Sequence, residues 1–218
     1  RFPLDESVEP QLIKDWATRN RIDAVIALGR RSHALTRPLA QIKPVTTGAV
    51  RMSPDLEKGT GIVLNPDPKV VFAKLREFAP RVKRIVVIYN PKKNAWLIRR
   101  AKKAAKDLKI TLDARAVSDV RQSARLYRDI LKRQSGTQHA VWLLNDKSVF
   151  DTKAIFPIVL QEAWNRNFLV FSNNPAHVKR GVLFAMYPDN AKMGQSLAKL
   201  ALKTAKAGSK KTNTMLPL

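Results

Sequence analysis

The stretch RVKRIVVIYNPKKNAWLIRRAKKAAKDLKITLDARAV, residues 81–117, decides the fold. Its apolar run RIVVIY, residues 84–89, is typical of a strand that is covered on both faces. The segment after the turn at Asn90-Pro91 predicts an amphipathic helix over about 95–108, and a second strand is expected at 110–116. A strand, a helix and a strand at this spacing predict a βαβ unit, and therefore a parallel sheet with a right-handed crossover.

The same alternation continues towards the C-terminus. After Ser118 we expect a helix that ends near Gly136, a strand at 140–144, a helix at about 153–166, strands at 168–172 and 182–186, and a final helix at about 190–207. Residues 81–187 therefore predict a complete doubly wound lobe. The helix within 188–207 can pack on either lobe, and the tail 208–218 is expected to be irregular.

The segment before residue 81 predicts fewer elements. It contains a strand at 22–28, a short helix capped by Ser32, a strand candidate at 44–48, an irregular stretch at 50–61, and a helix that starts at Asp67-Pro68 and ends at Pro80. We interpret residues 1–60 as a partial first lobe and 61–80 as a helix and crossover. The predicted fold class is α/β, with two doubly wound parallel-sheet lobes of which the first is incomplete.

The charge of the chain points to anionic partners. Its 218 residues carry 41 Lys and Arg against 17 Asp and Glu, a net charge of +24, and residues 69–133 alone hold 20 basic and 5 acidic residues. Basic side chains form a stripe on the helix 95–108 and another on the next helix: Arg99, Lys102, Lys103 and Lys106, then Arg121, Arg125, Arg128, Lys132 and Arg133. We interpret both stripes as solvated helix faces. Binding of nucleic acid or another polyanion through the 99–133 surface is the alternative.

The residue inventory argues against catalysis. The chain has no Cys, which excludes a disulfide, a thiolate metal site and a cysteine nucleophile. Its three histidines lie in separate segments, and the catalytic and phosphate-loop motifs are missing from the sequence. We therefore expect no enzyme, no cofactor and no metal. There is no apolar run of membrane-spanning length and no signal segment at the start, so an exported protein would have lost its signal.

The loops that follow the predicted strands have a common composition. In open parallel sheets, ligands bind outside the carboxyl ends of the strands. These ends carry Asn, Ser and Asp, helix-start amides and the indole of Trp96. Amides suit a carboxylate, Asp146 suits an ammonium and Trp96 offers a stacking surface, so the loops favour a small polar or zwitterionic ligand. For any single loop, the alternative is that Asn or Asp only caps the helix that follows.

Residues 81–117 resemble the opening of the second lobe in a family of ABC-transporter solute-binding proteins. That family has the type I periplasmic binding fold, and this branch includes tryptophan- and tyrosine-type binders. Further landmarks agree in order: Asn145-Asp146, the segment SNNPAHVKRGVLFAM at 172–186, Tyr187 before a helix that holds Gly194, and, upstream, IDAVIALGRRSHAL at 22–35 and PVTTGAV at 44–50. The resemblance covers nearly the whole chain and is strongest over 60–205.

The resemblance implies a two-lobed protein that closes on a small organic ligand, often an amino acid or a related compound, and delivers it to a membrane permease. It implies a periplasmic or exported location, with association to a membrane surface as a further expectation from the charge. The implied ligand contacts are Gly29, Arg30, Arg31, Ser32 and Gly48 in the first lobe, and Asn90, Asn94, Trp96, Asn145, Asp146 and Asn173 in the second. Passing a signal to a protein partner instead of a permease is another use of the same fold.

Three features depart from the family pattern. The family's first strand, first helix and second strand have no counterpart before residue 1, so the first lobe is expected to be incomplete. Small residues are usual where Arg30 and Arg31 stand, which predicts either an anionic ligand or an altered cleft. A net charge of +24 is also high for an exported solute binder.

Overall fold

The computed structural model describes residues 8–52, 56, 59–206 and 215–217. The chain divides into two units, one made of Arg1–Asn65 with Pro188–Leu218 and the other of Pro66–Tyr187. The elements, in chain order, are α1 (Pro10–Arg19), β1 (Val25–Leu28), α2 (Gly29–Thr36), β2 (Val45–Val50), β3 (Gly61–Val63), α3 (Pro68–Phe78), β4 (Arg84–Tyr89), α4 (Pro91–Asp107), β5 (Thr111–Ala116), α5 (Val120–Leu131), β6 (His139–Leu143), α6 (Phe156–Arg166), β7 (Leu169–Ser172), α7 (Asn190–Lys206) and β8 (Met215–Pro217). Short 3-10 helices lie at Leu39–Gln41 and Pro175–Arg180.

The unit Pro66–Tyr187 is built around β4. Its parallel sheet has the order β5-β4-β6-β7, and Arg84 at the start of β4 is aligned with Thr111 on one side and His139 on the other. Alternate residues of β4 enter two separate cores: Ile85 packs with α3 and α4, and Val86 packs with α5 and α6. Helices thus cover both faces of the sheet, which confirms the doubly wound arrangement.

An aromatic group fills the first of these cores. The ring of Trp142 on β6 is stacked on Phe171 of β7 at 6.1 Å, and Phe72 of α3 meets Trp142 edge-on at 5.2 Å. All three side chains are fully buried. The indole N–H of Trp142 donates a hydrogen bond to the Asn173 side-chain oxygen at 2.9 Å, so the core is tied to the loop after β7.

The unit that contains α1 to β3 also has a parallel sheet, in the order β1-β2-β3-β8. Val45 of β2 packs with a cluster that includes Ile13 and Ala17 of α1. On the other face, Leu197 of α7 lies against Gly48 of β2. The C-terminal helix therefore packs on this sheet, which decides between the two positions that the sequence left open.

Several local expectations are corrected. Ser32 does not cap α2: the helix starts at Gly29, and the Ser32 hydroxyl donates to the Leu28 carbonyl oxygen at 2.6 Å from inside the helix. Helix α4 starts at Pro91 rather than near residue 95, because Asn90 accepts a hydrogen bond from the Lys92 N–H and acts as its cap.

Two short strands lie where the sequence predicted none, and one predicted strand is reduced to a single bridge. Gly61–Val63 forms β3 beside β2, and Met215–Pro217 pairs with β3, while residues 208–214 and 218 of the expected tail lie outside the described residues. In the segment 182–186, Ala185 makes an isolated bridge to Ser172 instead of a full ladder. A three-residue strand carries too little periodicity to be recognised from sequence.

We predict opposite effects for two Gly→Ala substitutions in the same unit. A Cβ at Gly61 would overlap the backbone carbonyl of Thr47 in the neighbouring strand, so Gly61→Ala should lower the free energy of unfolding by roughly 1–3 kcal/mol. Gly194 on α7 has open space around it, so Gly194→Ala should raise that free energy by up to about 1 kcal/mol. Urea unfolding followed by circular dichroism measures both. Equal midpoints for the two variants would contradict the packing of β2 against β3.

Candidate ligand-binding site

The strand order creates a switch point in the unit Pro66–Tyr187. Strand β5 lies on one side of β4, and β6 lies on the other. The connections that leave β4 and β6 therefore run in opposite directions, and a crevice opens between them at the carboxyl edge of the sheet. The two loops at this point begin at Asn90 and Asn145.

Asn94 and Asp146 meet across this switch point. The Asn94 side-chain N–H donates to one carboxylate oxygen of Asp146 at 2.6 Å, and both residues are 8% exposed. The other oxygen accepts from the backbone N–H and the hydroxyl of Ser148, at 3.0 and 2.7 Å. Lys93 lies 3.7 Å from the same oxygen and is largely exposed. Both oxygens of Asp146 are therefore engaged inside the unit.

Asn90 joins a third loop to this pair. Its side-chain oxygen caps α4, and its side-chain N–H group donates to the Ser118 carbonyl at 3.3 Å and to the Ser148 hydroxyl at 3.2 Å. Ser118 follows β5, so the loops after β4, β5 and β6 share one hydrogen-bonded network. A network with its donors and acceptors paired holds its members in fixed positions. We call Asn90, Asn94, Asp146 and Ser148 the switch-point cluster.

Ser148 was missed as a site residue by the sequence reasoning. It stands two residues after Asp146, which is the spacing at which an Asp side chain bonds a following backbone N–H. That local signal was available in the sequence. Its second contact, to Asn90, joins residues 58 positions apart and carries no sequence signal.

Trp96 and Asn173 make contacts with residues outside the switch-point cluster. Trp96 is half-buried in α4, packs against the core that contains Leu97, and has the Arg100 guanidinium 5.3 Å from its ring centre. Arg100 in turn pairs with Asp67 at 3.3 Å. One face of the indole is thus already occupied by a cation. Asn173 is half-buried and accepts from the Trp142 indole, and Asn145 is half-buried beside Asp146.

The loop after β7 leads into a buried histidine. Ser172 contacts Nδ1 of His177 at 2.8 Å, Asn174 contacts Nε2 at 3.3 Å, and the rings of Phe150 and Phe156 pack around the imidazole. Burial lowers the pKa of His177 below its usual value, and the nearby Arg180 lowers it further. These surroundings favour the neutral form of the His177 imidazole.

Four of the first-lobe candidates follow β1, whereas Gly48 lies within β2, which continues to Val50 instead of ending near residue 48. Gly29 has φ of +88° and opens α2, which explains the glycine there. Arg30 and Arg31 are exposed on the first turn of α2. Gly48 is aligned with Leu28 in the ladder, and its open side is filled by Leu197, so the structure gives Gly48 a packing role.

A cavity of about 290 Å³ runs along α2. Its lining combines guanidinium groups with an apolar wall: Arg30, Arg31, His33, Ala34, Arg37, Val50 and Leu56. The His33 ring is held by a 3.0 Å contact between Nδ1 and the Thr47 hydroxyl. Sequence reasoning found Arg30 and Arg31 but missed His33 and Arg37, although spacings of three and seven residues from Arg30 place both on its helix face.

Within the ranges 8–52, 56, 59–206 and 215–217, no group of three or more His, Asp or Glu side chains is placed to hold a metal ion. In the same part of the chain, none of the helices combines the length and the apolar character that crossing a bilayer requires.

A comparison with models of protein families shows to which family this chain belongs. Residues 22–215 match the model of a family described as ABC transporter substrate binding protein. The chain belongs to the ABC transporter substrate-binding protein family. The resemblance drawn from residues 81–117 is therefore confirmed at the level of the family. No curated protein matches the chain significantly.

Solved structures support the fold. A conserved domain protein of Vibrio cholerae O1 biovar eltor is 17% identical, with 96% of this chain and 72% of that chain covered and a TM-score of 0.54. The ABC domain of Streptococcus pneumonia in complex with L-Trp has the same identity and coverage, with a TM-score of 0.55. A LacI transcriptional regulator of Lactobacillus brevis is 13% identical over 98% of this chain and 82% of that chain, with a TM-score of 0.54. Family and fold together confirm the type I periplasmic binding architecture.

We predict that Asp146 is needed for stability. In Asp146→Ala, the buried Asn94 and Ser148 donors lose their acceptor, which should cost roughly 1–3 kcal/mol of unfolding free energy. The matched control is Asp129→Ala on the exposed side of α5, with an expected change within about 0.5 kcal/mol. Chemical denaturation measures both variants. An unchanged midpoint for Asp146→Ala would show that the switch-point cluster is not formed.

We also predict a pH dependence that His177 controls. Below about pH 6.5 the unfolded chain takes up a proton that the folded imidazole resists, so stability is lost as the pH falls towards the lowered pKa. His139, whose pKa is lowered by burial and by Arg84, acts in the same direction. Thermal unfolding from pH 7.5 to 5 should give a shallower loss for His177→Gln than for the unsubstituted protein, because the unfolding of the variant takes up at most about one proton fewer. Parallel curves for the two proteins would refute the assignment.

Proposed function

We propose that this substrate-binding protein captures a small polar organic ligand, an amino acid or a related compound, for an ABC-type uptake system. The switch-point cluster is the observation that carries the proposal. It holds the loops after β4, β5 and β6 together at the edge of the sheet where ligands of open α/β folds bind. The L-Trp bound by one protein of similar fold agrees with a ligand of this class.

The contacts of the cluster assign different roles to the proposed site residues. Asp146, with both oxygens engaged by Asn94 and Ser148, orients these side chains and is a positioning residue. Trp96 offers the part of its half-buried indole that remains exposed, and Asn145 and Asn173 follow the neighbouring strands β6 and β7. In the other unit, the proposed contacts are Gly29, Arg30, Arg31 and Ser32 at the start of α2, and Gly48 within β2.

The proposal includes binding without chemical change, delivery to a membrane permease and an exported location, periplasmic where an outer membrane is present. The family description supports a substrate-binding role.

The alternative, a polyanion bound through the 99–133 surface, finds less support. Helix α4 packs on the sheet face that Ile85 and Val87 cover, and α5 packs on the opposite face with Val86 and Ile88. The two basic stripes therefore lie on helices from opposite faces of one sheet and do not form a single continuous track. A nucleic-acid duplex follows a continuous basic surface.

A thermal-shift screen tests the proposal. The panel holds the standard amino acids, small carboxylates, nucleobases and a short DNA duplex, each at low and high salt. Saturable stabilisation by one small molecule is expected, amounting to about 2.7 kcal/mol when the ligand is in hundredfold excess over its Kd. This corresponds to a rise of roughly 5–10 °C in Tm. Stabilisation by DNA alone, abolished by salt, would overturn the proposal in favour of the polyanion alternative.

A matched pair of tryptophan substitutions locates the site. Trp96→Ala removes the indole at the strand-end edge and should weaken the affinity for the stabilising ligand about tenfold or more. Trp164→Ala is the control, since its side chain is 78% exposed on α6. Calorimetric titration should give an unchanged Kd for the control. Equal affinities for the two variants would remove Trp96 from the site.

A further inference from the structure

The cavity along α2 has a composition that selects ligands by charge. Arg30 on the first turn and Arg37 at the C-terminal cap lie on one helix face, seven residues apart, with Ala34 between them. Arg31 and His33 also line the cavity. Three guanidinium groups therefore line a cavity of about 290 Å³.

The opposite wall of the cavity is apolar. Val50, at the end of β2, and Leu56 are buried residues whose side chains line it. Arg30 and Arg37 are exposed, and a guanidinium can donate two parallel hydrogen bonds to a carboxylate or a phosphate. The combination suits a molecule with an oxyanion at one end and a short apolar body at the other.

The start of α2 adds to this preference. Leu28 occupies the N-cap position and has no side-chain acceptor for the first N–H groups of the helix, and Ser32 bonds the Leu28 carbonyl instead. The dipole of a helix favours an anion at its N-terminal end. Arg30 and the helix start therefore attract the same kind of group.

We propose that the α2 cavity binds the carboxylate or phosphate of a small organic anion, so that the substrate of this protein carries a net negative charge. This deepens the proposed function and rests on it, because Arg30 and Arg31 belong to the proposed ligand contacts. Within the class of amino acids and related compounds, it selects acidic amino acids, dicarboxylates and phosphorylated compounds over neutral amino acids.

Calorimetric titrations with charge-matched probes test the inference. The probes are L-glutamate with L-glutamine, succinate with succinamide, and inorganic phosphate, each measured against the whole chain. At least one anionic probe should bind, about tenfold or more tighter than its amide counterpart where it has one. Binding of the carboxylates identifies a carboxylate as the recognised group, and binding of phosphate alone identifies a phosphate.

Three Arg→Gln substitutions, each of which removes one positive charge, distinguish a specific anion site from attraction by the net charge of the protein. Arg30→Gln and Arg37→Gln should each weaken the bound anion about tenfold, and Arg19→Gln, on the exposed last turn of α1 and outside the cavity lining, should leave its Kd unchanged. Glutamine favours a helix, so the variants keep α2. Equal weakening by all three substitutions would overturn the inference, since it would reflect the net charge alone.

The failure of the inference and the failure of the proposed function give different results. If a neutral amino acid binds saturably, with the affinity sensitive to Trp96→Ala but not to Arg30→Gln or Arg37→Gln, the proposed function stands and the anionic class is wrong. If the amide counterparts bind as tightly as the anions, the anionic class is equally wrong. If neither these probes nor the wider panel of small molecules bind, both proposals fall.

Discussion

The structure of the unit Pro66–Tyr187 depends on the position of β4 between β5 and β6. Every second residue of β4 enters a different core, so the strand is buried on both faces and paired along both edges. A strand with those requirements must be continuously apolar, as RIVVIY is. Because the chain leaves β4 towards β5 and returns on the other side as β6, the carboxyl edge of the sheet opens beside the residues that follow β4. The place for a ligand is thus a consequence of strand order.

The switch-point cluster turns this opening into a defined surface. Asn90 caps α4 and also bonds the loops after β5 and β6, while Asp146 holds Asn94 from the far side. Capping a helix therefore does not exclude an asparagine from a ligand-binding site. The bonds that start helix α4 also fix the positions of the polar groups at the edge, and fixed polar groups lose little entropy when a ligand binds.

Much of the fold follows from the sequence because its signals are local. The run RIVVIY coincides with β4, and Asp67-Pro68 opens α3 as expected, since strand burial and helix capping involve near neighbours. The strands at Gly61–Val63 and Met215–Pro217 were not predicted, because a three-residue strand is specified by the strand it pairs with rather than by its own sequence pattern. Asn90 and Asp146 could be recognised from the sequence as residues that follow strands. The contact between Asn90 and Ser148 could not, because it joins positions that are far apart in the chain. Arg37 was missed although its helical spacing from Arg30 was visible.

The central claim is that this protein recognises a small organic molecule at the carboxyl ends of its strands. Amide NMR spectra of isotopically labelled protein test it most directly, recorded with the tightest-binding small molecule of the amino acid and carboxylate panel. We expect shift changes concentrated in the segments that follow β1, β2, β4, β6 and β7. Changes spread along the exposed basic faces of α4 and α5, with the strand-end loops unaffected, would contradict it.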